Sequence, residues 1–191
     1  MTKILTRKAN IRLSGYDYTR SNHYYVTACT ENKREWFGEI KNNEMILNSY
    51  GKICLEHLQN LPVYYKNIKI DTFVIMPNHF HAIIIMQNNQ INHSGQALGL
   101  SLHISQNKSL SKINGDYKSF SSREINKITD NGHKFKWQRS FYDHIIRNEK
   151  SLRKIREYIT NNPVAWAEDE ENIKCITIKS SRPEPSCFAL R

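Results

Sequence analysis

Two apolar runs stand back to back near the middle of the chain, Ile68–Met76 and His79–Met86, separated only by Pro77-Asn78. Proline at the first central position and asparagine at the second suit a tight turn, so the pattern predicts a β-hairpin. Within the second run, Ala82-Ile-Ile-Ile-Met86 is apolar at both parities, the mark of a central strand covered on both faces. Upstream, His23–Thr30 is aromatic and β-branched and reads as the first strand, ending in the turn-forming stretch Glu31–Arg34. Trp36–Ile40 is expected to extend or pair with it. Asn48-Ser49 then caps a helix to about Leu61, with Ile53, Leu58 and Leu61 inward and Pro62 closing it.

Beyond the hairpin, Gln87 to about Lys108 turns to Asn, Gln, Ser, Gly and His with little periodicity, and a long mobile connection is expected; His93 and His103 fall within it. Ser109–Ile128 regains helical spacing through Leu110, Ile113, Tyr117, Phe120, Ile125 and Ile128, with Lys108, Lys112, Lys118, Arg123 and Lys127 outside the stripe as a basic face for DNA. After the break at Asn131-Gly132, Lys134–Tyr142 alternates basic and aromatic residues like an edge strand. Asn148-Glu149 opens a last helix that runs to about Asn162 and stops at Pro163. The order β, α, β-β, α, β, α predicts an α+β fold with helices packed on an antiparallel central sheet. One domain is expected over residues 1–167. The tail over 168–191 starts acidic, offers a strand at Ile173–Ile178 and ends in Ser180–Pro185, which has little to pack.

Composition narrows the function. A chain of 191 residues that is 39% hydrophobic supports one ordinary core. Its formal charge of +10 favours polyanions, most simply nucleic acid. Near the N-terminus Arg7, Lys8, Arg12 and Arg20 are interleaved with Tyr16 and Tyr18, a mixture able to hold phosphates and stack on bases. Cys29, Cys54, Cys175 and Cys187 are too far apart for a thiolate metal motif, and neither a signal-like leader nor an apolar run of about 18 residues is present, so a reduced cytoplasmic protein away from membranes is expected. A metal in such a protein would be held by imidazole and oxygen.

The hairpin supplies the imidazoles. Strand geometry sends His79 and His81 to one face, about 6.5–7 Å apart along the strand, within reach of one ion, while Phe80 points into a core. With eight histidines in the chain, chance alone gives about 0.3 His-x-His pairs, so support must come from elsewhere. The last helix provides it. At about 100° per residue, Leu152, Ile155 and Ile159 form a core stripe, with Tyr158 and Asn162 together on its shoulder and Lys154 one turn below. Two imidazoles and an amide oxygen leave positions open on a divalent ion such as Mg²⁺ or Mn²⁺, which could polarise a phosphodiester. Tyr158 would then be the nucleophile, with the ion and Lys154 favouring its phenolate. The bland alternative keeps Tyr158 as a core-edge residue and Asn162 as a helix end. Tyr142, in Tyr142-Asp143-His144, is a competing nucleophile.

On these residues the chain resembles the single-tyrosine HUH transposases of bacterial insertion sequences, especially the REP-associated tyrosine transposases. The resemblance rests on Phe73–His81, with His79-Phe80-His81 as the His-hydrophobic-His signature, and on Tyr158-Ile-Thr-Asn-Asn-Pro163; Ile11–Tyr18 and Trp137–Arg147 are also similar, and together the likeness spans roughly 7 to 167. It implies a ferredoxin- or RRM-like HUH endonuclease fold, with His79, His81 and Asn162 on the metal and Tyr158 attacking single-stranded DNA, leaving a 5′-phosphotyrosine and a free 3′-hydroxyl. It implies a hairpin-forming single strand as partner, in a bacterial cytoplasm on or near the nucleoid, and leaves monomer and homodimer open. Arg12, Tyr16, Tyr18, Lys118, Arg123, Trp137, Arg139 and Lys154 are the expected DNA contacts. A non-catalytic hairpin-binding protein of the same fold and a metal-dependent hydrolase with a structural Tyr158 are the competing readings.

Overall fold

A computed structural model describes residues 16–87, 108–129 and 132–173. A four-stranded antiparallel sheet forms its centre, in the order β4-β5-β1-β6, where β1 is Asn22–Cys29, β4 Ile68–Met76, β5 His79–Met86 and β6 Tyr142–Ile146. The helices are α1 (Ser49–Tyr64), α2 (Leu110–Lys127) and α3 (Glu149–Asn161). One sheet face carries the main core, in which Tyr24, Val26, Phe80, Ala82 and Ile84 meet Leu58 of α1 and Ile113 and Tyr117 of α2. The other face carries a smaller cluster in which Ile83 and Ile146 meet Leu152 and Ile159 of α3. Residues of β5 therefore face opposite helices by parity, and nearly the whole strand is buried.

The hairpin, α2 and α3 lie where the apolar pattern puts them, each helix capped by the asparagine or serine before it: Asn148 Oδ1 accepts from Ser151 N at 2.8 Å, and Ser109 Oγ from Lys112 N at 3.4 Å. Three elements differ. Trp36–Ile40 does not join the sheet; Gly38–Lys41 (β2) pairs with Glu44–Leu47 (β3) as a separate hairpin, whose turn residues Asn42 and Asn43 both take positive φ. Pro62 lies inside α1 and does not close it, because at the last turn only one backbone bond is forfeited, and Tyr65 N still reaches Leu61 O at 2.8 Å. The edge strand starts at Tyr142 instead of Lys134. Phe135 and Trp137 are drawn into the main core beside Phe37, and the intervening chain is irregular except for a bridge between Thr30 and Trp137. The expected connection over 87–108 and the expected strand after Ile173 lie almost wholly outside the described residues. Among the described residues no helix is long and apolar enough to cross a membrane.

Gly51 shows how tightly α1 is seated. Its N–H donates to the cap Asn48 Oδ1 at 3.0 Å, and a Cβ there would sit 2.2 Å from Phe37 O. Gly51→Ala is expected to lower unfolding free energy by about 2–3 kcal/mol in urea titration; an unchanged midpoint would show that the β2–α1 junction yields freely.

Candidate metal and tyrosine site

Because β5 parity is fixed by the Ile83 and Phe80 cores, His79 and His81 are both turned toward α3, and both are buried. Their Nε2 atoms lie 2.9 Å apart. Two ligand nitrogens about 2.0–2.1 Å from one ion and at right angles would be about 2.9 Å apart. The outer nitrogens are held from behind. Asn78 spends its amide N–H groups on Lys33 O at 2.9 Å and Glu171 O at 2.8 Å, so its Oδ1, 2.8 Å from His79 Nδ1, must accept. That places the His79 proton on Nδ1 and leaves its Nε2 lone pair facing His81. His81 Nδ1 is hydrogen-bonded to Tyr25 Oη and Thr27 Oγ1, each at 2.8 Å, and its ring stacks on Tyr25.

Helix α3 brings Tyr158 and Asn162 to the same place. The Tyr158 and His81 ring centroids are 5.3 Å apart, and the Tyr158 ring also meets Tyr25 edge-on at 6.4 Å. Asn162 is wholly buried; its Nδ2 donates to Asp169 Oδ2 at 2.8 Å, whereas its Oδ1 has no hydrogen-bond partner. A buried amide oxygen left unpaired is costly, and a hydrogen-bond donor or a cation would satisfy it. Asp169 completes the set. His79, His81 and Asp169 each offer an atom within 4.8 Å of the others, so two imidazoles and a carboxylate converge, with the Asn162 amide hydrogen-bonded to that carboxylate. This nitrogen and oxygen donor set fits a hard or borderline divalent ion.

Asp169 lies in the stretch read from sequence as the start of a tail. Past Pro163 the chain makes a short 3-10 turn at Trp166–Glu168 and folds back, the Trp166 ring 5.9 Å from that of His79. Lys33 then fastens the acidic run, donating to Glu170 O at 2.9 Å and pairing with Glu171 Oε2 at 3.0 Å. The signal was there in the sequence, four consecutive acids in a basic chain just after the helix. Without periodicity between Asn162 and Asp169, however, no spacing argument could aim one of them at the histidines.

The charge set against Tyr158 is also different from the expected one. Its hydroxyl donates to Asp169 Oδ2 at 3.3 Å. Burial first, and then the Asp169 carboxylate, push the phenol up to about 12, while Lys154 stands exposed on the helix.

The other expected DNA contacts separate by burial. Trp137 is corrected to a core residue: it is 8% exposed, its Nε1 donates to Ser121 Oγ at 3.0 Å, and its ring packs among Phe37, Phe80, Tyr117 and Phe135, leaving no face for a base. Lys118 is corrected to a brace, its ammonium donating to Gln138 O and Ser140 O at 2.8 Å each, with burial lowering it to about 8. Phe120 leaves the helix stripe and carries Arg123 on its exposed ring. Arg139 and Lys154 are exposed, and Tyr16 and Tyr18 pack edge-on at 5.1 Å. Tyr18 also lines an open cavity of about 400 Å³ with Tyr142, His144, Arg147 and Ser151. Arg12 lies outside the described residues. The competing nucleophile Tyr142 is 42% exposed on β6, its ring 6.1 Å from Tyr25.

Comparison with known proteins decides the family. Residues 90–162, which include Tyr158 and Asn162, match the family model described as "Transposase IS200 like". An uncharacterized protein of Haemophilus influenzae is 36% identical over 165 residues, covering 85% of this chain and 92% of that one. A second H. influenzae protein, provisionally named a REP-associated tyrosine transposase, is 26% identical over 152 residues, covering 78% of this chain and 73% of its own length. The chain belongs to the IS200-like transposase family. This is a family of DNA-processing enzymes, and the sheet with its helices is the HUH fold. A solved REP-associated tyrosine transposase bound to a REP hairpin superposes on the present transposase with a TM-score of 0.53 at 17% identity, covering 83% of this chain and 77% of that one.

In this transposase Asn78 is expected to govern metal affinity without touching metal. Asn78→Ala frees the His79 ring to turn and to exchange its tautomer, and Mn²⁺ affinity by calorimetry is expected to fall about 10–100-fold. Unchanged affinity would mean that Asn78 merely ties Lys33 and Glu171 to the hairpin.

Proposed function

We propose that this transposase nicks and rejoins single-stranded, hairpin-forming DNA through a covalent 5′-phosphotyrosine on Tyr158. The observation that carries this reading is the packing of the Tyr158 ring 5.3 Å from that of His81, whose Nε2 is paired with that of His79, within one chain. The H. influenzae relative's name and the hairpin in the solved neighbour support DNA of this class as the substrate. Residues 1–167 are proposed as the catalytic domain together with the Asp169 turn, and the exposed Arg139, Lys154 and Arg123 as contacts to the phosphate backbone.

His79 and His81 would hold a divalent ion, with Asn162 Oδ1 and Asp169 as the oxygen ligands. Such an ion, Mg²⁺ or Mn²⁺, supplies Lewis acidity toward the scissile phosphate and offsets the carboxylate charge facing the phenol. In the chemical step the Tyr158 Oη–P bond forms and the P–O3′ bond breaks. The phenol proton leaves along the hydrogen bond to Asp169 Oδ2, and the departing 3′ oxygen takes one from water. The phosphodiester's energy stays in the tyrosine ester, so a 3′-hydroxyl can attack it and restore a strand without ATP. Tyr25 and Thr27 keep His81 in place throughout, and Asn78 keeps His79.

The test is to incubate the protein with Mn²⁺ and a 3′-fluorescent single-stranded library built around a constant hairpin, and to run denaturing gels. A denaturant-resistant adduct that disappears with chelator is expected. Chelator-insensitive binding without an adduct would instead make this a non-catalytic hairpin-binding member, and cleavage without an adduct a hydrolase.

A further inference from the structure

We infer that Asp71 and Arg156 form a positioning pair that sets the roll of α3 and so aims Tyr158 at the histidines; this rests on the reading of Tyr158 as the nucleophile. The pair begins with an irregularity in β4. Ile70 pairs with Ile84 and Phe73 with Ala82, so three residue steps on β4 oppose two on β5, a bulge with one extra residue. Asp71, next to the core-facing Ile70, points to the α3 side by strand alternation, and the extra residue returns Phe73 to the main core. On the α3 side Asp71 accepts from Arg156 Nε at 2.7 Å and Nη2 at 2.9 Å, a two-pronged bond that fixes orientation as well as distance. His23 also faces Asp71, and Glu149 lies 4.0 Å from Arg156 Nη1.

Its place on the helix gives the pair its effect. Leu152, Ile155 and Ile159 are the stripe by which α3 sits on its small apolar cluster. At about 100° per residue Arg156 falls on one flank of that stripe and Tyr158 with Asn162 on the other. Apolar contacts are non-directional and leave a helix free to roll about its stripe. A roll of about 10° at a side-chain radius of about 6 Å displaces a group by about 1 Å. Misplacement of that size costs reaction rate about 100-fold. The Asp71–Arg156 fork opposes this roll from the flank away from the nucleophile. Its hydrogen bonds join Arg156 to Asp71 and not to His79 or His81, so it acts on the site through the helix.

The test uses Arg156→Ala, Arg156→Lys and the charge exchange Asp71→Arg with Arg156→Asp in the full chain. In a single turnover with the hairpin oligonucleotide that gives the wild-type adduct, Arg156→Ala is expected to slow adduct formation about 10–100-fold. Its hairpin Kd should stay within about threefold and its Mn²⁺ affinity within about threefold, and the exchanged pair should recover most of the rate. Arg156→Lys, which keeps the charge and the fold but not the fork, should fall between. A second readout does not depend on activity: with 3-fluorotyrosine incorporated, the Tyr158 ¹⁹F resonance, assigned through Tyr158→Phe, should move in Arg156→Ala and return in the exchanged pair. Wild-type rate and an unmoved resonance in folded Arg156→Ala would overturn the inference, as would an exchanged pair no better than the single variant. A resonance that moves while the adduct does not depend on Tyr158 would instead sink the reading of Tyr158 as nucleophile and leave the pair's structural effect standing.

Discussion

Tyr158→Phe abolishes the covalent adduct, with the strand-cleavage rate falling by at least about 10⁴-fold, close to 5.5 kcal/mol of transition-state stabilisation. The substitution removes one oxygen and little else. The phenyl ring keeps its contacts with Tyr25 and His81, and the lost hydrogen bond is a long one, 3.3 Å to Asp169. Stability and hairpin binding should therefore stay near wild type. Because burial and Asp169 hold the phenol up to about 12, the hydroxyl is a poor spontaneous nucleophile, and adduct formation without added Mn²⁺ should be minimal. Asp169→Asn withdraws a charge that raises Tyr158 but also the carboxylate that takes its proton, so adduct formation with Mn²⁺ should slow. Cleavage by Tyr158→Phe at more than about a hundredth of the wild-type rate would refute the assignment.

His81→Ala is expected to have the second largest effect. It leaves His79 alone to face the oxygen donors, so Mn²⁺ affinity measured by calorimetry or electron paramagnetic resonance should weaken by more than about 100-fold, beyond what loss of an outer group such as Asn78 produces. Adduct formation should fall in parallel and return only partly at high Mn²⁺. Asn162→Ala is the informative companion. Its Oδ1 is buried without a partner, so removing it relieves a cost to the metal-free protein that offsets the lost Nδ2 bond to Asp169, while withdrawing a ligand. The metal-free protein should therefore lose little stability while Mn²⁺ affinity drops. Normal Mn²⁺ affinity in Asn162→Ala would assign the oxygen position to Asp169 alone.

Much of this site was legible because its pieces obey short periods. The two-residue repeat of β5 put both histidines on one face, and the 3.6-residue repeat of α3 put Tyr158 and Asn162 on one shoulder. Those repeats need only local geometry. What escaped lies where no period operates. Asp169 reaches the site through a 3-10 turn and a reversal fastened by Lys33 and Asn78, contacts between residues more than 90 apart in sequence. Trp137 and Lys118 look like surface chemistry in a run of alternating basic and aromatic residues. Yet the aromatic cluster of the main core claims the indole, and two backbone carbonyls claim the ammonium. Composition establishes that a chain is basic without telling which cations have been spent inside it. Pro62 makes the same point for the backbone, since a proline in the last turn forfeits too little to end a helix held by Leu58 and Leu61.

The most direct measurement is tandem mass spectrometry of the adduct formed with Mn²⁺ and the hairpin library, after nuclease trimming and protease digestion. A nucleotide remnant carried on the peptide containing Tyr158, absent when chelator is present, is the predicted result. A remnant on Tyr142, or no remnant on any peptide although the strand is cut, would contradict it.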